Sequence, residues 1–314
     1  MRRSSSLHSA FGVTMVLSWR GVVFGVFALL NSVSALDYYG IRLGQLKNSS
    51  IGIQGTVYLA NATILQIVDF SIDETDDISP RFFFSTDDAS NPVSTIYQVF
   101  PSPGGDYLRR IPLGSLSSGM EKVRLVVEIP SEVKWQFFGI ASQRYWNYFA
   151  AIKLNKTAAE PFCCLTNTDS PWRGIAPKHY EAATDPLVVL DHKTVLLPAF
   201  NFKGTAPPDG WIYAGKGYQI NQHTGKKGLV LGRDRPEKHC ALHEDYDGTK
   251  DLIVRLADDQ TIYDVDYIAV FCYAYSVDFG HVFFKLDPEN NPVPAYIPPI
   301  SETPLKRLPP SPHC

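Results

Sequence analysis

Apolar and polar residues alternate along this chain in short runs, and the period is two rather than 3.6. TVYLANATILQIVDF (56–70) reads as two β-rich runs around a polar turn, and LVVLDHKTVLLPAF (187–200) has the same form, with Asp191-His192-Lys193 as the turn. KVRLVVEI (122–129) and DLIVRLA (251–257) alternate as strands with one wet face. YIAVFCYAYSVDFG (267–280) predicts a buried strand with Cys272 in its middle. Few windows keep apolar residues at i, i+3, i+4 and i+7 over three turns, so little helix is expected. Many short strands between Gly and Pro turns predict an all-β fold, a sandwich or a small barrel in each unit. The pattern leaves the choice between those two open.

The pattern also repeats. At an offset of 130 residues, VYLANATILQIVDFSID (57–73) overlies LVVLDHKTVLLPAFNFK (187–203), and RFFFS (81–85) overlies WIYAG (211–215). At an offset of 131, FFGIASQRYWNYFA (137–150) overlies the cysteine strand; Cys272 then falls on Ala141, and Asp278-Phe279 meets Asn147-Tyr148. A period this long implies two tandem domains rather than a solenoid. On this alignment one copy has a sulfur and the other lacks it, so the fold does not need it.

The chain has 314 residues, enough for two ordinary domains, and its 45% apolar and 19% charged content suits globular structure. A net charge of −3 gives no electrostatic reason to expect nucleic acid as a partner. Residues 1–35 read as a signal peptide: Arg2, Arg3 and Arg20 supply charge, GVVFGVFALL (21–30) is the apolar core, and Val33-Ser34-Ala35 precedes cleavage before Leu36. Met15 would start a more compact signal. No other stretch is long and apolar enough to span a bilayer, so the mature chain is expected to be secreted and extracellular, without a membrane span. In that setting Asn48, Asn61 and Asn155, each opening an Asn-x-Ser/Thr sequon, become candidate glycosylation sites. Asn61 falls at a predicted hairpin turn and is expected to be exposed. The expected organisation is a first domain at 36–155, a linker at 156–178 carrying Cys163-Cys164, a second domain at 179–287, and a Pro-rich tail at 288–314. Nine prolines in that tail predict an extended, mobile segment.

The second unit resembles the DM-thirteen domain, the Skeletor-type domain of animal surface and matrix proteins. The likeness rests on LVVLDHKTVLLPAFNFKGTAPPDGWIYAGKG (187–217), VLG (230–232) and LIVRLADDQTIYDVDYIAVFCYAYSVDFGHV (252–282). The family hallmark is a strand ending in a cysteine, followed shortly by Asp-Phe-Gly; Cys272 and Asp278-Phe279-Gly280 match it. The first unit resembles the family more weakly, from YYGIRLGQL (38–46) onward, and departs from the hallmark. The resemblance implies an electron-transfer module in which the cysteine serves as a free thiol or holds a group such as haem. It also implies that any redox partner is a separate protein.

Read as chemistry alone, Cys272 has two roles open to it: redox centre, or inert core thiol or half of a disulfide. Its neighbours Val270, Phe271, Tyr273 and Tyr275 offer no cation to stabilise a thiolate. Five cysteines in an oxidising compartment favour bridges and leave one over. Cys163, Cys164 and Cys240 are the disulfide candidates: a bridge from Cys240 to Cys163 or Cys164 would staple linker to second domain, and a vicinal bridge within 163–164 is the uncommon alternative. Cys314 suits pairing between molecules. His239, Cys240 and His243 amount to half a zinc site, so no metal is expected. No cofactor is certain; Cys-x-x-Cys-His for covalent haem is absent, and noncovalent haem through His281 or Cys272 stays open. No hydrolase or phosphate-loop signature is present, so the chain is at most a redox accessory rather than an enzyme. Trp135, Trp146, Trp172 and Trp211 could line a sugar-binding face, although core packing is the commoner use. Two functions follow: a redox accessory acting through Cys272, or a noncatalytic module binding extracellular matrix or cell-surface proteins, with Cys272 structural.

Overall fold

A computed structural model describes residues 38–73, 80–86, 97–101, 108–112, 119–131, 133–142, 148–234, 239–298 and 300–301. The expected signal peptide, Met15, Trp146 and Cys314 lie outside the described residues. In the N-terminal half the strands are β1 (Ile41–Asn48), β2 (Ile53–Asn61), β3 (Ile64–Ile72), β4 (Pro80–Ser85), β5 (Tyr97–Pro101), β6 (Leu108–Pro112), β7 (Met120–Glu128), β8 (Phe137–Ser142) and β9 (Tyr148–Lys153). The C-terminal half opens with β10 (Phe162–Leu165), β11 (Ala176–Pro177), β12 (Leu187–Asp191), β13 (Thr194–Leu197), β14 (Asn201–Lys203) and β15 (Trp211–Gly215). It continues with β16 (Gly225–Lys227), β17 (Leu229–Val230), β18 (Asp245–Asp247), β19 (Leu252–Arg255), β20 (Tyr267–Cys272), β21 (Val277–Phe283) and a short β22 (Ile300–Ser301). The described residues contain no helix, so none is long and apolar enough to cross a membrane.

Each half is built round a two-sheet sandwich, and the C-terminal half adds a two-stranded sheet, β14-β18. In the N-terminal half a sheet of order β1-β2-β3-β7-β5-β6-β22 faces one of order β4-β8-β9. Val57, Leu65 and Ile67 from the first meet Phe82, Phe84, Phe138 and Ile140 from the second in one apolar core. In the C-terminal half β10-β12-β13-β19-β17 faces β11-β21-β20-β15-β16. Val189, Val195 and Val254 meet Ile212, Val270 and Val282 there. Period-two alternation turns every second residue inward, which is why the alternating runs of the sequence became strands with one buried face.

The pairings of the two halves recur at an interval of 130 residues, as from Leu65 to Val195. Leu59 pairs with Leu65 and Asn61 with Ile64 across a bulge; Val189 pairs with Val195 and Asp191 with Thr194 across a bulge at the matching place. Phe82 pairs with Ile140 as Ile212 does with Val270. Both cysteine-type hairpins then bulge at one site, after Ile140 and after Val270, so that Ala141 faces Tyr148 and Phe271 faces Asp278. This register corrects the offset of 131. Ala141 answers to Phe271, and the position answering to Cys272 is Ser142, which is also buried. Tyr148-Phe149-Ala150 stands where Asp278-Phe279-Gly280 stands. A one-residue slip turns every side chain to the other face, so low sequence identity alone could not fix this register.

Even the irregular backbone recurs. Asp69 and Ala199, both non-glycine, have φ of 53° and 47°, each just before a fully buried phenylalanine, Phe70 or Phe200. Alanine gains nothing from that conformation, whereas aspartate tolerates it. Ala199→Gly is therefore expected to stabilise the protein by about 0.5–1 kcal/mol, with a smaller gain for Asp69→Gly, as read from urea midpoints.

Two expectations from composition fail. Residues 156–178 are not a free linker, since β10 pairs with β12 and β11 with β21. The start of the Pro-rich tail is not loose either: Val293 and Ala295 are buried. Ala295 N donates to Ala60 O at 2.9 Å, and His192 N donates to Pro294 O at 2.9 Å, so the segment bonds to the hairpin turns of both halves. Proline removes donors, but an extended chain keeps its carbonyls, and the intervening Val and Ala supply apolar contacts. Tyr296 N donates to His192 Nδ1 at 2.5 Å. Burial, then Lys193 and Arg124, push the His192 imidazole down to about 3, so it stays the neutral acceptor this bond needs. Tyr38 sets its ring against both His192 and Tyr263, at 5.5 and 5.4 Å.

Candidate functional site

Cys272 ends β20. Alternation along that strand sends Ile268, Val270 and Cys272 into the core between the sheets, and Tyr267, Ala269 and Phe271 to the outer face. The thiol is free and only 2% exposed. Its neighbours in that core are apolar, as expected from sequence, and they offer no positive charge to support a thiolate.

Asp278 and His281 would point to opposite faces of a regular strand, being three residues apart. The bulge opposite Val270 and Phe271 inserts one residue and brings both to the outer face. There Asp278 Oδ2 lies 2.7 Å from His281 Nδ1 and accepts from Lys178 Nζ at 2.7 Å, while Oδ1 accepts from Gly280 N at 3.1 Å. Asp169 Oδ2 lies 3.2 Å from His281 Nε2. Burial raises the Asp278 carboxyl, but His281 and Lys178 outweigh it and hold the group below its ordinary value. Burial lowers the His281 imidazole, but the carboxylates outweigh it and hold it above the ordinary 6.5.

Phe279 points inward and meets Tyr180 edge-on at 4.8 Å and Phe202 at 5.9 Å. A Cβ on Gly280 would come within 2.8 Å of the carbonyl oxygens of Ala182 and Ala176. The Asp-Phe-Gly stretch is therefore a clamp for the segment 165–183, and the bulge puts its carboxylate on the face opposite the cysteine. Asn167 completes the clamp as a strand mimic: its Oδ1 accepts from Phe283 N at 2.9 Å and its Nδ2 donates to His281 O at 2.9 Å. Asn167, Asp169 and Lys178 were not legible as site residues, because the region holding them read as linker. The Asp278-x-x-His281 spacing was the one available signal, and only a bulge gives it meaning.

The outer face also carries a ring cluster. Tyr213 stacks on Phe271 at 4.7 Å, and Tyr267 meets Phe283 edge-on at 5.9 Å. Lys227 Nζ sits 3.4 Å from the Trp211 ring and 4.6 Å from the Tyr273 ring, a cation between two aromatic faces. Among the described residues, Trp135, Trp172 and Trp211 do not form one sugar platform. Trp135 packs on Phe84, Trp211 lies under Lys227, and Trp172 stands in the loop before Gly174.

Cys163 and Cys164 are bonded to each other. The expected staple from either of them to Cys240 is not formed, although Cys240 is itself disulfide-bonded. A bonded Cys240 offers no thiolate to a metal. Beside it Arg233 takes up the acidic groups, bonding Asp234 at 2.8 Å and Glu244 at 3.1 Å. No group of three or more metal-ligating side chains occurs among the described residues. Haem does not fit His281 or Cys272 as they stand: both imidazole nitrogens face carboxylates, and the thiol is sealed in a packed core. Of the sequon residues, Asn155 is exposed, whereas Asn61, at its hairpin turn, is half-buried with its Oδ1 accepting from Thr63 N at 2.9 Å. Asn48 is half-buried too, and its Nδ2 donates to Phe149 O at 3.0 Å.

The fold and this clamp define a class: an all-β module whose C-terminal sandwich carries one sealed thiol and an Asp-Phe-Gly lock. Residues 177–284 match the family described as Electron transfer DM13. Over 303 residues the chain is 25% identical to "Protein Skeletor, isoforms B/C" of Drosophila melanogaster, covering 91% of this chain and 34% of that protein. It is equally similar to isoforms D/E of the same protein, covering 18% of their length. The chain thus spans about a third or less of these curated relatives. No solved structure matches it.

Proposed function

We propose that this chain is a secreted, extracellular or cell-surface glycoprotein module of the Skeletor type, built from two DM13-like sandwiches, the first of which has lost the cysteine and the Asp-Phe-Gly. The likeness to Skeletor along 91% of the chain carries this reading. The recurrence of both bulges and both left-handed residues supports the two-copy origin. Within the second sandwich Cys272 is the redox candidate. Its burial rules out thiol–disulfide exchange with a partner while the sandwich stays closed, because that exchange requires a thiolate in contact with the attacked sulfur.

The second reading is a noncatalytic module that binds matrix or cell-surface proteins. The apolar surroundings of Cys272 favour it. The two readings part on Cys272→Ala: redox cycling with the partner is lost in the first, and partner binding is kept in the second. A related expectation concerns the thiol itself. In the folded protein Cys272 should resist an aromatic disulfide reagent and react promptly once denaturant is added. Rapid labelling in the native state, followed by mass spectrometry of the peptide holding Cys272, would contradict the sealed site.

A further inference from the structure

We infer that His281, Asp169 and Asp278 form a proton-operated latch that holds the loop 169–174 against β21 and releases it as the imidazole loses its proton. Both ring nitrogens face a carboxylate, at 2.7 Å for Asp278 and 3.2 Å for Asp169. An imidazolium donates to both. A neutral imidazole has one N–H, so one nitrogen lone pair must then face carboxylate oxygen. The bond to Asp169 is the one given up. It is the longer of the two, and the Asp169 side chain is 47% exposed against 14% for Asp278, so water can replace the lost donor.

Among the described residues the other charged group at the site is Lys178, bonded to Asp278. Lys178 neutralises Asp278, and Asp169 is left as the carboxylate that depends on the imidazolium. The Phe283 ring, 4.5 Å from the imidazole, covers it on its own strand. The raised pKa of His281 agrees with this arrangement and places the change above 6.5. The latch is engaged below that value, and it opens as pH rises through the folded-state value.

The loop is built to respond alone. On one side Thr168 N donates to Phe283 O at 3.0 Å, and on the other Gly174 is buried, with room for no side chain against Thr184 O. Between them lies Asp169-Ser170-Pro171-Trp172-Arg173, tied down by Asp169 and by Trp172 Nε1, which donates to Thr184 O at 3.3 Å. Release therefore changes how Trp172, now 46% exposed, is presented, and leaves the sandwich intact.

The test is an NMR titration of the His281 ring, with hydrogen exchange of the Trp172 amide and indole N–H, which donate to Ser170 Oγ and Thr184 O, from about pH 6 to 9 and corrected for base catalysis. The ring should titrate above 6.5. Protection of those two N–H groups should fall roughly tenfold through the same transition, the worth of one exposed charge-assisted hydrogen bond. Thr168 should stay protected throughout and report that the sheet is intact. Asp169→Asn, a near-isosteric change at a side chain 47% exposed, should abolish the response and lower the His281 value. Flat protection in the wild-type protein, a ring that titrates at or below 6.5, or a response that survives Asp169→Asn would each overturn the latch.

Discussion

Asp278→Ala is expected to lower the stability of the protein by about 3 kcal/mol, the order of loss when one partner of a buried ion pair is removed. Three groups lose their acceptor together: the His281 imidazolium, the Lys178 ammonium and the Gly280 amide. The His281 share dominates, because its side chain is 6% exposed, while Lys178 at 48% recovers much of its hydration. The loss should carry a pH signature. The Asp278 carboxyl is held below its ordinary value, so its contribution is present above about 3.8 and vanishes as pH falls through the depressed value. His281 is held above 6.5, so its contribution is present below that value and vanishes as pH rises through the raised one. Urea denaturation across pH should therefore show the variant farthest below wild type between those limits and closer to it outside them. A gap that stayed constant with pH would mean that Asp278 acts through backbone geometry alone. Asp278→Asn should cost less, since an amide oxygen still accepts from Gly280 N.

Phe70→Ala and Phe200→Ala should each cost about 3–5 kcal/mol, the usual price of emptying a phenylalanine site in a core. Each ring is fully buried behind a left-handed residue, and each packs on another aromatic: Phe70 on Phe82 at 5.7 Å, Phe200 on Tyr246 at 5.0 Å. The two sites occupy one place in the two sandwiches, so their losses should agree within about 1 kcal/mol. Calorimetry also reports on the join between the halves. The bonds from Pro294 and Ala295 to both hairpin turns couple the sandwiches, so either variant should lower a single shared transition. A Phe70→Ala protein that showed a new early transition and an untouched late one would mean that the halves unfold independently. A cost below about 1 kcal/mol at either site would remove the case for matched cores.

Much of the architecture was legible because strand patterning is local. The hairpins at 56–70 and 187–200 formed as read, whereas 267–280, read as one buried strand with Cys272 in its middle, is two strands, with Cys272 ending the first and residues 273–276 turning the chain. Composition misled at 156–178 and 288–298, where proline and polar residues suggested loose chain. Whether such a segment packs depends on free carbonyls and amides elsewhere that need partners, and no local window holds that information. The match of Cys272 to Ala141 failed for a related reason. The two cysteine-type hairpins carry the same bulge, and the residues about it share too little identity to fix register to one position.

The sequence by itself determined the all-β class and most of the strand-forming runs, since these follow from side chains two residues apart. Tertiary structure decided what the Asp-Phe-Gly stretch does. His281 and Asp169 are 112 residues apart in sequence and meet only because a bulge turns the histidine outward and a short strand docks the segment that carries the aspartate. Hydrogen bonds and burial of that kind are settled by which surfaces meet after folding. The identity of one residue and its immediate neighbours does not fix them.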